Sequence, residues 1–547
     1  MLRKFVTFLA LLSLGLVPTA VQAQNPKGNA TDPTIILRVK SFQTLVDSFK
    51  TVANAIDMAD VAQQVEGVLQ SPIGQAGLKG IDTKRPWIVY GKIGEDLQNM
   101  GAVLMIPVND QKAFLNLLAN VQFTPEEDAN DKGLYIVDQN IQPAIQIGFR
   151  FANKFAYITA ENFDFIKAGN LLPPNKIKTT NMKAAISGVF RMDQVPGEAY
   201  KFLKVQLENQ VRDFKENEVS NNNELEKKIQ FAIVDEALKQ GLAFLKGSKQ
   251  IAFAFDVDAD KKQFVEDVTI EGQPQSQFAK NMVDLAGPGS LFGGLLQKGT
   301  MVNGLVTFKL PASIRKVLDE ALTKGIVEAR KKGKSAKERE LIEQFIAGLS
   351  PTLKSSVVDG AVSAVTEKDG TLSGVAAIRL VDAKKLEKAI KELHKFIPDV
   401  EAKKFNLDFD KVGKANIHQI NAQDDYDAQA RRILGNFPIY IAFRNDAALL
   451  GFGKNGLTQV KRAVAGKKMG KSPVMSFSLA IRDLIPLVSK KEREIAAAKT
   501  TFGPNTPGTV MITATQQGLK ASIQVRVDLS VLRFAIRADK NNDFGAE

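Results

Sequence analysis

The chain has 547 residues, with 73 Lys and Arg against 60 Asp and Glu, no cysteine and two histidines. That length is too great for one compact core and points to two to four domains. The composition excludes disulfides, thiolate metal sites, a cysteine nucleophile and a three-histidine zinc centre, and one Trp with six Tyr argues against a sugar- or base-stacking surface.

Residues 1–23 read as a secretory signal: Arg3 and Lys4, an apolar stretch from Phe5 to Val17, Pro18, then Val21 and Ala23 at the −3 and −1 positions. A mature extension, 24–33, follows. No later stretch has membrane-spanning length. The expectation is an exported protein of the periplasm or cell surface. Export makes nucleic acid a poor partner for the basic charge; an anionic envelope polymer, lipid or another envelope protein fits better. Two basic clusters, Arg330 to Lys337 and Lys467 to Lys471, read as solvated loops.

Two halves, 34–275 and 301–538, carry the same features in the same order. Each opens with a strand and an amphipathic helix: Thr34 to Val39 then Phe42 to Ile56, and Val302 to Leu310 then Ile314 to Ile326. Two strands and a helix follow, with Asp110 and Asp382 placed as N-caps. Next come strands containing Gly148-Phe149-Arg150 and Ala442-Phe443-Arg444, each followed by a short helix. Asp193-Gln-Val-Pro196 and Asp483-Leu-Ile-Pro486 then mark strand-to-helix junctions, with proline expected in the first helical turn. Each half closes in an alternating hairpin, Gln250 to Ile270 and Thr509 to Val527. Val211 to Lys246 adds a charged helical excursion, broken at Asn221-Asn222-Asn223. The Gly- and Pro-containing stretch 276–300 reads as a linker and 539–547 as a tail. The fold expectation is α+β: two tandem duplicated halves, each a mostly antiparallel sheet packed against long amphipathic helices.

Few patterns carry chemistry. Gly451-Phe-Gly453-Lys-Asn-Gly456 matches the dinucleotide glycine pattern, but it follows hairpin strands and no acidic residue stands about 20 positions on, so it reads as a plain turn. Asp256, Asp258 and Asp260 are spaced like the start of a calcium loop, yet Lys261 occupies the position that needs glycine and the stretch alternates as a hairpin. Asp539, Asn541 and Asp543 repeat that spacing at the chain end. These six are weak metal candidates. His418 sits in an apolar strand and His394 near a helix C-terminus. No catalytic residue and no cofactor site stand out.

Pro107-Val108-Asn109-Asp110 running into a helix, the Phe-Arg strands, the Asp-x-aliphatic-Pro junctions and the hairpin with Gly518-Leu519-Lys520 resemble large secreted multi-module proteins of planctomycetes and related bacteria, known as families of unknown function. The resemblance spans nearly all of the mature chain and implies an exported α+β protein; its motifs are caps and turns, so it assigns no active-site residues.

The first functional expectation is a non-enzymatic structural or binding protein. The alternative is a carrier of lipid or another apolar ligand, since 33 Phe would line a cavity without polar groups. A third is a carboxylate-dependent hydrolase of extracellular polymers, which needs two facing carboxylates in a cleft.

Overall fold

The computed structural model describes residues 32–70, 78–94, 100–120, 123–138, 146–217, 224–332, 336–466, 468, 470, 472–503 and 506–539. The expected signal peptide and most of the expected tail, including Asn541 and Asp543, lie outside them. Among the described residues, twenty strands form one sheet. The first ten are β1 (Ile35–Val39), β2 (Trp87–Lys92), β3 (Gly101–Pro107), β4 (Glu126–Glu127), β5 (Leu134–Asp138), β6 (Gln146–Ala152), β7 (Phe155–Ala160), β8 (Ile186–Arg191), β9 (Ser248–Asp258) and β10 (Gln263–Gly272). The second ten are β11 (Val302–Lys309), β12 (Val357–Thr366), β13 (Leu372–Arg379), β14 (Phe405–Val412), β15 (Ala415–Ile420), β16 (Ile439–Phe443), β17 (Ala447–Phe452), β18 (Met475–Ala480), β19 (Thr509–Gln517) and β20 (Lys520–Asp528).

Every strand pairing is antiparallel, which with segregated helices makes the class α+β. Followed across the sheet, the pairings run β4-β5-β6-β7-β3-β2-β1-β8-β9-β10, then β20-β19-β18-β11-β12-β13-β17-β16-β15-β14. The second half thus repeats the strand order of the first. The halves meet edge to edge at β10 and β20. There the first residue of β10, Gln263, faces Asp528; the first of β20, Lys520, faces Glu271; and the fifth residues, Asp267 and Gln524, face each other. The joint has the register of a two-fold axis through that central pair, and Gln524 Nε2 donates to Asp267 Oδ1 at 2.7 Å.

Helices follow the same order. Helices α1 (Phe42–Ala55) and α2 (Ala59–Gln70) connect β1 to β2, and α3 (Gln111–Asn120) follows β3. Helices α4 (Gly197–Asn217) and α5 (Glu224–Gly247) connect β8 to β9, and α6 (Gln277–Leu285) follows β10. In the second half α7 (Ala312–Lys332) with α8 (Ala336–Lys354), α9 (Ala383–His394), α11 (Ile481–Val488) with α12 (Glu492–Thr501), and α13 (Leu529–Ala538) stand at the corresponding places; α10 (Gly456–Val464) follows β17. The expected break in the helical excursion falls between α4 and α5, at residues outside the description.

Several local expectations need correction. The stretch 276–300 is no open linker. Ser276 caps α6 by accepting from the Ala279 N–H at 3.1 Å. Beyond it, Leu291, Phe292 and Leu295 are buried in the core of the second half, with Ser290 and the Leu291 N–H bound to the buried Asp359 carboxylate at 2.6 and 2.7 Å. Burial of these apolar side chains outweighs the conformational freedom of the glycines around them. Asp110 caps α3 through the Ala113 N–H at 3.1 Å, whereas Asp382 precedes α9 in a left-handed conformation, makes no cap bond and pairs instead with Lys385. Asp193 lies in a 3-10 turn, Met192–Gln194, and Pro196 directly precedes α4. Pro486 lies inside α11 beyond its first turn, and Asp483 holds Arg482. The two Phe-Arg segments also differ in register: Arg150 stands three residues before the turn residue Asn153, Arg444 one before Asn445. Arg150 is buried and donates to Ile166 and Lys132 carbonyls; Arg444 closes its turn onto Ala447.

Candidate ligand-binding face

Strand residues two apart share a face, and residues opposite in register share it too. In the four central strands this sorting is sharp. One face carries Phe253, Phe255 and Val257 of β9, Phe264, Val268 and Ile270 of β10, Ile523, Val525 and Val527 of β20, and Val510 and Ile512 of β19. The other face carries Asp256, Asp258, Gln263, Asp267, Gln524 and Arg526, which with Lys261 line an open polar depression of about 270 Å³.

The apolar face is the one the helices cover. In register, Phe255 lies beside Ile186, Ile186 beside Val39, and Val39 beside Trp87. Phe42 of α1 stacks on Trp87 with ring centroids 6.0 Å apart. At the far end of β10 the Cα of Gly272 lies so close to α6 that an added Cβ would stand 3.0 Å from that of Ala279. The halves exchange contacts on this side: Ser313 of α7 donates to Glu236 of α5, and Arg533 and Arg537 of α13 pair with Asp57 after α1.

Yet this covered face is not sealed. The four buried hydrophobic clusters found among the described residues lie in the outer parts of the sheet, and none contains a residue of β9, β10, β19 or β20. All the apolar side chains just named keep partial solvent access, and Ile523 is 43% exposed. Phe114, Phe149 and Phe155, by contrast, are at most 3% exposed in the first half, as is Phe443 in the second. The phenylalanines therefore divide: most large buried ones fill lateral cores, while Phe253, Phe255 and Phe264 line a partly open apolar surface. Continuous accessible apolar area costs about 25 cal/mol per Å² left uncovered, and marks a ligand groove or an interface.

One charge interrupts this surface. Glu266 lies between Phe255 and Val525 in register, and between Phe264 and Val268 along its own strand. Its carboxylate forms no hydrogen bond or ion pair with any described residue. Burial pushes its carboxyl above the ordinary value.

Among the described residues, the sequence-selected metal candidates do not converge on one site. Asp256 and Asp258 are strand residues of the polar face; Asp258 is tied to the Lys261 ammonium at 2.5 Å and to its N–H at 2.9 Å. Asp260 sits in the connecting turn. Asp539 directly follows α13, and its carbonyl accepts from Arg493 at 2.6 Å. The glycine pattern also has a packing role: Gly453 has φ of +76° and presses on Leu372, Gly451 abuts Gly456, and the Asn455 N–H is taken by Ser373 Oγ at 3.0 Å. A phosphate would meet backbone already occupied by the protein.

A cluster that sequence spacing did not connect lies between α9 and β14–β15. Glu387, Asp408 and His418 bring one donor atom each within 4.8 Å of one another, the first and last buried. Lys391 Nζ stands 2.6 Å from Asp408 Oδ1 and 3.0 Å from Glu387 Oε1, so an ammonium occupies the space a divalent ion would need. Burial alone would raise the Glu387 carboxyl; hydrogen bonds from Lys384, Asn416 and Lys391 outweigh it and hold the group at about 2. His418 Nδ1 accepts from the Asp408 N–H at 3.0 Å, which places the proton on Nε2, 3.4 Å from Glu387 Oε1. Burial keeps that imidazole below its ordinary pKa. The cluster is a partly buried ion network carrying its own cation. His394 is separate and bonds the Ala402 carbonyl at 3.1 Å.

No protein-family model, no curated protein and no solved structure matches the chain.

Proposed function

We propose that this is an exported, non-enzymatic binding protein that carries a lipid or another apolar ligand against the central strands of its sheet. The observation that carries the reading is the unsealed apolar face of β9, β10, β19 and β20 beneath helices contributed by both halves. A purely structural role gives no reason to leave that face accessible, because filling it would stabilise the fold. The repeated strand order and the two-fold register at β10 and β20 support a tandem duplication of a unit that once paired with its own copy through this edge. Among the described residues no helix is long and apolar enough to cross a membrane.

The test is uptake of a neutral apolar dye, N-phenyl-1-naphthylamine, by the detergent-free protein. The wild type should enhance its fluorescence saturably. Ile523→Lys, at a position already open to water, should abolish uptake while leaving the circular dichroism and unfolding midpoint near wild type. Arg526→Ala, on the opposite face, should bind normally. A wild type that takes up no dye contradicts the reading.

A further inference from the structure

Glu266 is a half-buried charge set among apolar side chains. Its register neighbours, Phe255 and Val525, and its neighbours along the strand, Phe264 and Val268, are all apolar. A carboxylate without a partner in such surroundings loses hydration and gains nothing in return. The corresponding position in the second half, the fourth residue of β20, is Ile523, so the backbone here does not require an acid. Lys520 and Arg526 of the neighbouring β20 belong to the other face of the sheet.

We propose that Glu266 is the head-group anchor of the carried ligand, and that the ligand is an amphiphile whose apolar body lies on the central face and whose single polar head is a protonated amine. This rests on the carrier reading above and narrows it to a ligand class. The chemistry follows from complementarity. A half-buried carboxylate flanked by apolar side chains on both neighbouring strands attracts an ammonium more strongly than a fully solvated one. It donates no hydrogen bond when ionised, so a fatty acid head would meet repulsion and an alcohol only a single neutral donor. Burial raises its carboxyl above the ordinary value, the direction that a neighbouring ammonium would reverse.

The experiment is displacement of the neutral dye by three probes of one chain length: hexadecylamine, hexadecanol and hexadecanoate. At neutral pH the wild type should prefer the amine by about tenfold or more over the other two, the difference expected of one charge-assisted hydrogen bond. Glu266→Gln should lose the preference, so that the three probes displace the dye about equally. Glu266→Asp should retain part of it. Equal displacement by all three probes, or a preference that survives Glu266→Gln, overturns the anchor while leaving the carrier reading intact. A wild type that binds neither dye nor probe fails the carrier reading itself.

Discussion

The lateral parts of the sheet and its centre are made from the same alternating strands, but they finish their apolar faces differently. Laterally, Phe114, Phe149, Phe151 and Tyr135 close on one another in edge and stacked contacts 5.2 to 6.1 Å apart, and α3 seals them. In the centre, Phe253 and Phe255 make a similar contact at 5.6 Å, yet the surface around them keeps its access to water. Stability is therefore concentrated at the sides, and the middle is left for something else to cover.

The largest expected effect belongs to the sealed side. Phe149→Ala should destabilise by about 3–5 kcal/mol, through lost burial and a cavity, with dye affinity unchanged wherever the protein is folded. Urea unfolding with dye titration checks both halves of that statement. Next comes the corner of the second half that matches this aromatic cluster. Glu387 is the fifth residue of α9 as Leu115 is of α3, and His418 lies opposite Ile441 as Tyr135 lies opposite Phe149. Where the first half packs apolar side chains, the second holds a partly buried ion network. Glu387→Ala should cost about 3 kcal/mol by leaving lysines and His418 without their acceptor. The double exchange Glu387→Leu with His418→Tyr, which copies the first half, should recover most of it in the same assay.

The two corners should also separate by pH. A carboxyl held at about 2 when folded, against about 4.3 when unfolded, contributes stability above the unfolded value and loses it as pH falls through the folded one. Between pH 4.5 and 2 the wild type should lose on the order of 2 kcal/mol that Glu387→Gln does not lose. Glu266 has the opposite sign: its raised pKa makes ionisation unfavourable in the fold, so Glu266→Gln should gain stability above the unfolded glutamate range and show no gain below it. Urea midpoints across pH read both. The smallest effects are the caps. Asp110→Ala should cost about 1 kcal/mol and Asp382→Ala only a few tenths, because only the first carboxylate takes a helix N–H.

Much of the architecture was legible because it is local. Period-two alternation located both closing hairpins, and apolar stripes located α1 and α7. The order of features in the two halves anticipated the common strand order. What local patterning could not supply was partnership across the chain. Nothing near Asp267 indicates that it faces Gln524. Nor do Glu387 and His418, on separate elements, announce that one network holds them. Proline and aspartate at the two helix junctions looked alike in sequence, yet the helix after β18 begins earlier, which carries Pro486 inside it. The signal that was present but unused is Glu266. In the run Phe264 to Ile270 it takes an inward position of a strand whose other inward residues are all apolar, and an acid at such a position asks for a partner.

The most direct measurement is native mass spectrometry, with lipid extraction, of the mature protein purified from its own host without detergent. The account predicts an apolar adduct of defined mass on the wild type, recovered in the extract and absent from Ile523→Lys. A clean unliganded mass for the wild type, together with no uptake of added apolar dye, would contradict it.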